Sequence, residues 1–218
     1  MRKFVFLCSA LLAVMLMVLM GCDQESPIGV DNQDPEVRLS YPNYCFSLNV
    51  PFIVQFPPGD KDHTKNCGQA CCVMLGGYFN NGAVASWVIT EENNWLANTK
   101  NDNRYRDPNG WYTSRGDLQN LLWSFHRLNS TIYFGSAPDD VINEVVNNRR
   151  PTIVGVMIKD GKLVSSGGAE HWALCVGWNG KVILHDPGTI YGKYIAYPKE
   201  EFDKSWATQR RVYIPVYR

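Results

Sequence analysis

The sequence has no excess of either charge sign: 21 Lys and Arg face 21 Asp and Glu. No basic run or patch stands out, so nucleic acid is excluded as an expected partner. There is no internal repeat, which argues against solenoids and propellers. Histidine is scarce, with four in 218 residues, and only His63, Cys67 and Cys71 fall at a metal-like spacing of four. Their lead-in, "GDKDHTKN", is loop-like rather than helical and no fourth ligand stands out, so no metal is expected. Nothing in the sequence calls for a cofactor. Long apolar runs are also rare, and the one that exists is at the N terminus.

That run, residues 4–20, follows Arg2 and Lys3 and stops at Gly21-Cys22. A positive start, an apolar stretch and a small residue before cysteine are the layout of a secretory signal. The run is short for a membrane-spanning anchor, which is the alternative. "LMGC" resembles the lipobox of bacterial lipoproteins, in which the cysteine is diacylated and becomes the first mature residue. The resemblance implies a signal over 1–21 and lipid on Cys22. The protein would then be tethered to a membrane of the cell envelope, facing the periplasm or the exterior. Residues 22–44, polar and proline-bearing without periodicity, read as a flexible tether. Residues 45–218 suit one globular domain with ample aromatics for a core. Apart from Cys8 and Cys22, five cysteines remain (45, 67, 71, 72 and 175), an odd number that leaves at least one unpaired within the chain. A disulfide from Cys45 to Cys71, Cys72 or Cys175 is one possibility, and the sequence does not choose among them.

Within the domain, "VPFIVQF" (50–56) is strand-like, and a polar loop leads into a helix over about 67–79. Its apolar positions 71, 74, 75 and 78 are helically spaced, with Gly76-Gly77 weakening the far end. Residues 91–112, rich in Asn and charge, read as a surface excursion that could line a cleft. "TSRGDLQNLLWSFHRL" starts a helix at Ser114, with Asp117 in the first turn and Leu118, Leu121, Leu122 and Phe125 as its buried stripe. "APDDVINEVVNNRR" is a further capped helix ended by Pro151. The last third is strand-like, with Asn179-Gly180 as a hairpin turn. Helices first and an antiparallel sheet afterwards give an α+β class.

Cys67 stands at a helix start, where the positive end of the helix dipole favours a thiolate, the nucleophilic form. Cys71 and Cys72, inside the helix, read as small packing residues. Of the histidines, His171 lies where a glycine-rich turn leads into the apolar strand "HWALCVGW", positioned to reach a cleft as base and acid. His185 is mid-strand beside Asp186, so the two point to opposite faces. His126 ends a helix, where a cation is simply favourable. Asp186, one hairpin after His171, is the natural orienting acid, although the hairpin register could leave the pair offset. The Cys67 backbone N–H would donate to an oxyanion. Gln55, isolated in an apolar run, would supply a second donor.

The order Gln55, "NCGQAC" at Cys67, "EHWALCVGW" at His171 and "HDP" at Asp186 resembles the C39-like peptidases of the papain-fold superfamily, from about residue 50 to 188. The resemblance implies a papain-like α+β fold and peptide or protein substrates. It also implies Cys67 as nucleophile, His171 as general base and acid, Asp186 as orienting acid and Gln55 as oxyanion donor. Two positions depart from the pattern: Gln69 stands where proline is usual, and Glu170 where glycine is usual. Glu170 would raise the basicity of the histidine or restrict the cleft. Two further readings stand beside this one. An NlpC/P60-like cell-wall amidase or papain-like transpeptidase would use the same residues on another substrate, and a non-catalytic binding module would use the fold alone.

Overall fold

The computed structural model describes residues 45–56, 65–106 and 112–218. The expected signal, Cys22, the 22–44 tether and His63 lie outside the described residues. The helices are α1 (Cys67–Asn80), α2 (Ser86–Lys100), α3 (Arg115–Asn120), α4 (Pro138–Val146) and α5 (Lys199–Thr208). A 3-10 turn follows α2 at Asn103–Tyr105, and a π-helical turn, Leu121–Phe125, continues α3. The strands are β1 (Phe46–Ser47), β2 (Asn129–Ser130), β3 (Tyr133–Phe134), β4 (Thr152–Lys159), β5 (Lys162–Leu163), β6 (Ala169–Trp178), β7 (Val182–His185), β8 (Ile195–Tyr197) and β9 (Val212–Tyr217). They form a sheet whose main order is β2-β9-β4-β6-β7-β8, and all described pairings are antiparallel. The α+β expectation is met.

Local signals place several elements as the sequence indicates. The Ser114 side chain accepts from the Asp117 N–H, and the Asp117 carboxylate accepts from the Ser114 N–H, each at 3.2 Å. This is the reciprocal cap that starts α3. The Asp140 carboxylate accepts the N–H groups of Ser136 and Ala137 at the start of α4, with Pro138 in the first turn. Asn179 and Gly180 turn the β6–β7 hairpin, and Gly180 has φ +82, a conformation glycine adopts without penalty. α1 is buried on every side from Cys67 to Gly76, more than the predicted stripe indicates, because it lies between β6 on one side and α2 with the π-helical turn on the other.

Two expectations are corrected. Residues 50–56 are extended but join no strand. Pro51 lacks an N–H, and Gln55 donates instead to the Pro187 carbonyl at 2.9 Å, so the segment is a strap rather than a sheet member. The described part of 91–112 is not a surface excursion: α2 runs through residue 100, with Ile89 and Leu96 fully buried. Its helical period is hidden because Glu92 and Asn93, three and four positions after Ile89, share the buried face. Among the described residues, no helix is long and apolar enough to cross a membrane.

Candidate active site

The first residue of α1 is Cys67, so its N–H is one of the donors that the helix itself leaves unused. β6 runs past the end of β7. Their pairing begins at Leu174 with His185, so residues 169–173 have one edge covered by no described strand. α1 docks there. The Trp172 backbone N–H donates to Cys67 Sγ at 3.4 Å, and the Cys67 sulfur lies close enough to the His171 imidazole to favour its charged form. His171 Nε2 lies 2.7 Å from Asp186 Oδ1, which leaves Nδ1 as the nitrogen for the sulfur. Cys67, His171 and Asp186 therefore form a continuous chain, and all three are buried.

A bulge decides that geometry. From Trp178↔Val182 and Gly177↔Ile183 the register shifts by one residue to Cys175↔Leu184 and Leu174↔His185. Continuing the shifted register sets Asp186 opposite Ala173, on the same face as His171. Without the extra residue at Val176, Asp186 would oppose Leu174 and face away, since a one-residue slip exchanges the two faces of a strand. The offset that the hairpin could have produced is thus removed by the bulge.

Electrostatics within the chain are cooperative. Burial alone would lower the His171 pKa. Attraction to the Cys67 sulfur and the hydrogen bond to Asp186 outweigh it and raise the imidazole to about 10. For Asp186, burial pushes upward, but the His171 hydrogen bond and charge, with the Gly188 N–H, hold the carboxyl below its ordinary range. Gly188 N–H donates to Asp186 Oδ1 at 2.7 Å. A Cβ on Gly188 would lie 3.0 Å from that oxygen and 3.2 Å from His171 Cε1, so glycine lets the pair sit this close without either side chain giving way. Gln55 is buried, and its backbone bond to Pro187 ties the strap to the turn carrying Asp186. Gln55 is thereby brought to the turn beside Cys67's partners.

The other cysteines are packed. Cys67, Cys71, Cys72 and Cys175 are buried thiols outside any disulfide, so the candidate bridges from Cys45 are not formed. Burial pushes the Cys71 and Cys72 thiols well above their ordinary value and Cys175 to about 12. His185 ends β7 fully buried, edge-on to Phe52 and Tyr194, and burial lowers it to about 4. His126 does end a helical segment, capping the π-helical turn, and its side chain pairs with buried Glu92. No group of three or more metal-ligating side chains occurs among the described residues.

A cleft of about 800 Å³ opens beside Cys67 and His171. Residues 112–116, Gly155, Trp172, Val212 and the 208–210 turn line it. The sequence missed what holds this lining. Thr113 Oγ1 donates to Gln69 Oε1 at 2.6 Å, and Gln69 Nε2 donates to Asn93 Oδ1 at 2.6 Å. Asn93 Nδ2 donates to Asn66 Oδ1 at 3.0 Å, and the Thr113 carbonyl accepts from Trp172 Nε1 at 2.8 Å. The departure at Gln69 was the one local signal of this buried network. Gly155 pairs with Trp172, and a Cβ there would meet Val212 at 2.7 Å and the Trp172 ring at 3.3 Å, so glycine keeps the cleft floor open. Glu170 lines the cleft beside the histidine.

The sequence model of the family described as Peptidase_C39 like matches residues 47–214. The chain belongs to that family. Among solved structures, this member of the Peptidase_C39 like family is similar to a proposed C39-like peptidase from Bacillus anthracis, with a TM-score of 0.57 and 16% identity. The match covers 81% of this chain and 98% of the other. At that identity the likeness shows the papain-like fold alone. No curated protein matches the chain significantly.

Proposed function

We propose that this C39-like protein is a lipid-anchored cysteine peptidase whose nucleophile is Cys67. The observation that carries the reading is the continuous Cys67–His171–Asp186 chain at the base of an open cleft. For attack the Cys67 proton passes to His171, leaving a thiolate beside an imidazolium. The sulfur attacks the peptide carbonyl carbon, a C–S bond forms, and the carbonyl π pair moves to oxygen. The Cys67 N–H and the Gln55 side-chain amide N–H donate to that oxyanion. Collapse breaks the C–N bond, and the proton on His171 passes to the leaving amine. The neutral imidazole then takes a proton from water, hydroxide displaces the sulfur, and the acid product leaves with the thiolate and imidazolium restored. Asp186 keeps Nε2 occupied throughout, so the proton that moves is the one on Nδ1.

The anchor belongs to the same proposal: the signal over 1–21 is removed, Cys22 carries the lipid, and residues 22–44 span from the membrane to the domain. Radiolabelled fatty acid incorporation, lost in Cys22→Ala, tests it. For the site, the measurement is iodoacetamide labelling of the full chain against pH, mapped by mass spectrometry, for wild type and His171→Ala. Cys67 is expected to label selectively well below about pH 8 and to lose that reactivity without His171. Labelling of Cys67 like an ordinary thiol, whatever occupies position 171, would overturn the reading.

A further inference from the structure

Two arginines line the cleft. Arg115 stands in the 112–116 segment and Arg210 on the 208–210 turn, both solvent-exposed. Neither forms an ion pair among the described residues. The contrast with the next residue is direct: Arg211 is occupied by Asp203 at 2.9 and 3.3 Å. The Arg115 guanidinium lies 5.3 Å from the centre of the Phe134 ring, a contact that fixes its plane and leaves its N–H edge open. Glu170 is the single acid among the described residues lining the cleft.

These cations are held in place rather than scattered. Thr113 is clamped between Gln69 and Trp172 Nε1, and Trp172 also binds the Cys67 sulfur. The segment bearing Arg115 is therefore fixed relative to the nucleophile by buried hydrogen bonds. Arg210 has φ +55, in a turn closed by its N–H to the Ala207 carbonyl at 3.2 Å. Two guanidinium groups lining one partly enclosed cleft focus a positive potential into it. Both present planar forks that suit a carboxylate.

We infer that the cleft selects substrates carrying a carboxylate close to the scissile bond, with Arg115 and Arg210 as the specificity-determining residues. The inference rests on the proposed role of Cys67. Glu170 works against it from the histidine side and keeps the preference from being absolute.

The test compares alkylation of Cys67 by iodoacetate and by iodoacetamide, two reagents of the same chemistry that differ in carrying a carboxylate. In the full-length protein, the iodoacetate-to-iodoacetamide rate ratio should fall roughly three- to tenfold in Arg115→Glu/Arg210→Glu. Glu170→Gln should raise it, and added salt should compress the wild-type ratio. Arg115→Gln/Arg210→Gln gives a smaller change of the same sign and serves if the charge-reversed variant does not fold. Peptides with Glu in place of Gln beside the cleaved bond should show a kcat/KM advantage that the double variant loses. A preference confined to peptides with a free rather than amidated C terminus would assign the carboxylate to the chain end. A ratio that stays constant across the arginine variants while Cys67 remains reactive overturns the inference and leaves the peptidase reading standing. If Cys67 reacts with neither reagent in wild type, the peptidase reading itself fails and the selectivity falls with it.

Discussion

Among the described residues two histidines pair with buried carboxylates, and the two carboxylates ionise differently. His171 with Asp186 sits at the cleft, while His126 with Glu92 lies among the helices beside α1. Asp186 is held below the ordinary carboxylate range, but Glu92 is raised to about 7, because burial outweighs its hydrogen bond to His126. The difference is in the number of partners. Asp186 Oδ1 also accepts the Gly188 N–H, and its histidine is stabilised from the far side by the Cys67 sulfur. Glu92 Oε2 is buried with no hydrogen-bond partner. A lone imidazole does not offset the desolvation of a fully buried carboxylate, whereas an imidazole flanked by two acidic groups and a backbone donor does. Burial by itself therefore does not make a working ion pair. The supporting groups do.

The comparison can be broken most severely at Asp186. In Asp186→Asn the amide no longer holds the imidazolium, and kcat/KM for peptide hydrolysis should drop on the order of a hundredfold or more. The alkaline limb of the pH profile, set in wild type by loss of the His171 proton near 10, should move to lower pH. A limb that stays where it was would mean that the Cys67 contact alone sustains the imidazolium. The linked stability effect has a definite sign. The raised His171 pKa contributes stability in full below about 6.5, and this is lost as pH rises through about 10. The depressed Asp186 contributes above about 4 and is lost as pH falls below that value.

Glu92 shares the sign of His171, opposite to Asp186, but acts at lower pH. Its folded pKa of about 7 lies above the ordinary 4.5, so stability is lost as pH rises from the lower value through the higher. Replacing it in Glu92→Gln should remove on the order of 2 kcal/mol of that pH dependence, read from urea midpoints on either side of neutrality. An unchanged slope would show that Glu92 is already ionised beside His126. The smallest expected effect is at the glycine that supports Asp186. Gly188→Ala places a methyl 3.0 Å from the carboxylate and 3.2 Å from the imidazole. Turnover should fall about tenfold while the far-ultraviolet circular dichroism is retained.

Much of the scaffold was legible because its signals are local. The Ser114–Asp117 cap, the Asn179-Gly180 turn and the cysteine at a helix start each depend on a few adjacent residues. α2 was not legible: Glu92 and Asn93 occupy buried helical positions, and their partners His126, Gln69 and Asn66 come from distant parts of the chain. The pairing of His126 was not legible for the same reason, since its carboxylate is 34 residues away. The 50–56 run has the composition of a strand and lacks only a partner, which no local pattern reports.

By itself the sequence determined the α+β class, the family resemblance and the candidate residues, because residue type and order along the chain carry those. Only the tertiary structure decided which face Asp186 presents, since that turns on a one-residue bulge at the β6–β7 pairing. The tertiary structure also decided which polar residues are buried and what lines the cleft. Those are properties of residues far apart in sequence, and desolvation and long-range hydrogen bonding arise only when the chain brings them together.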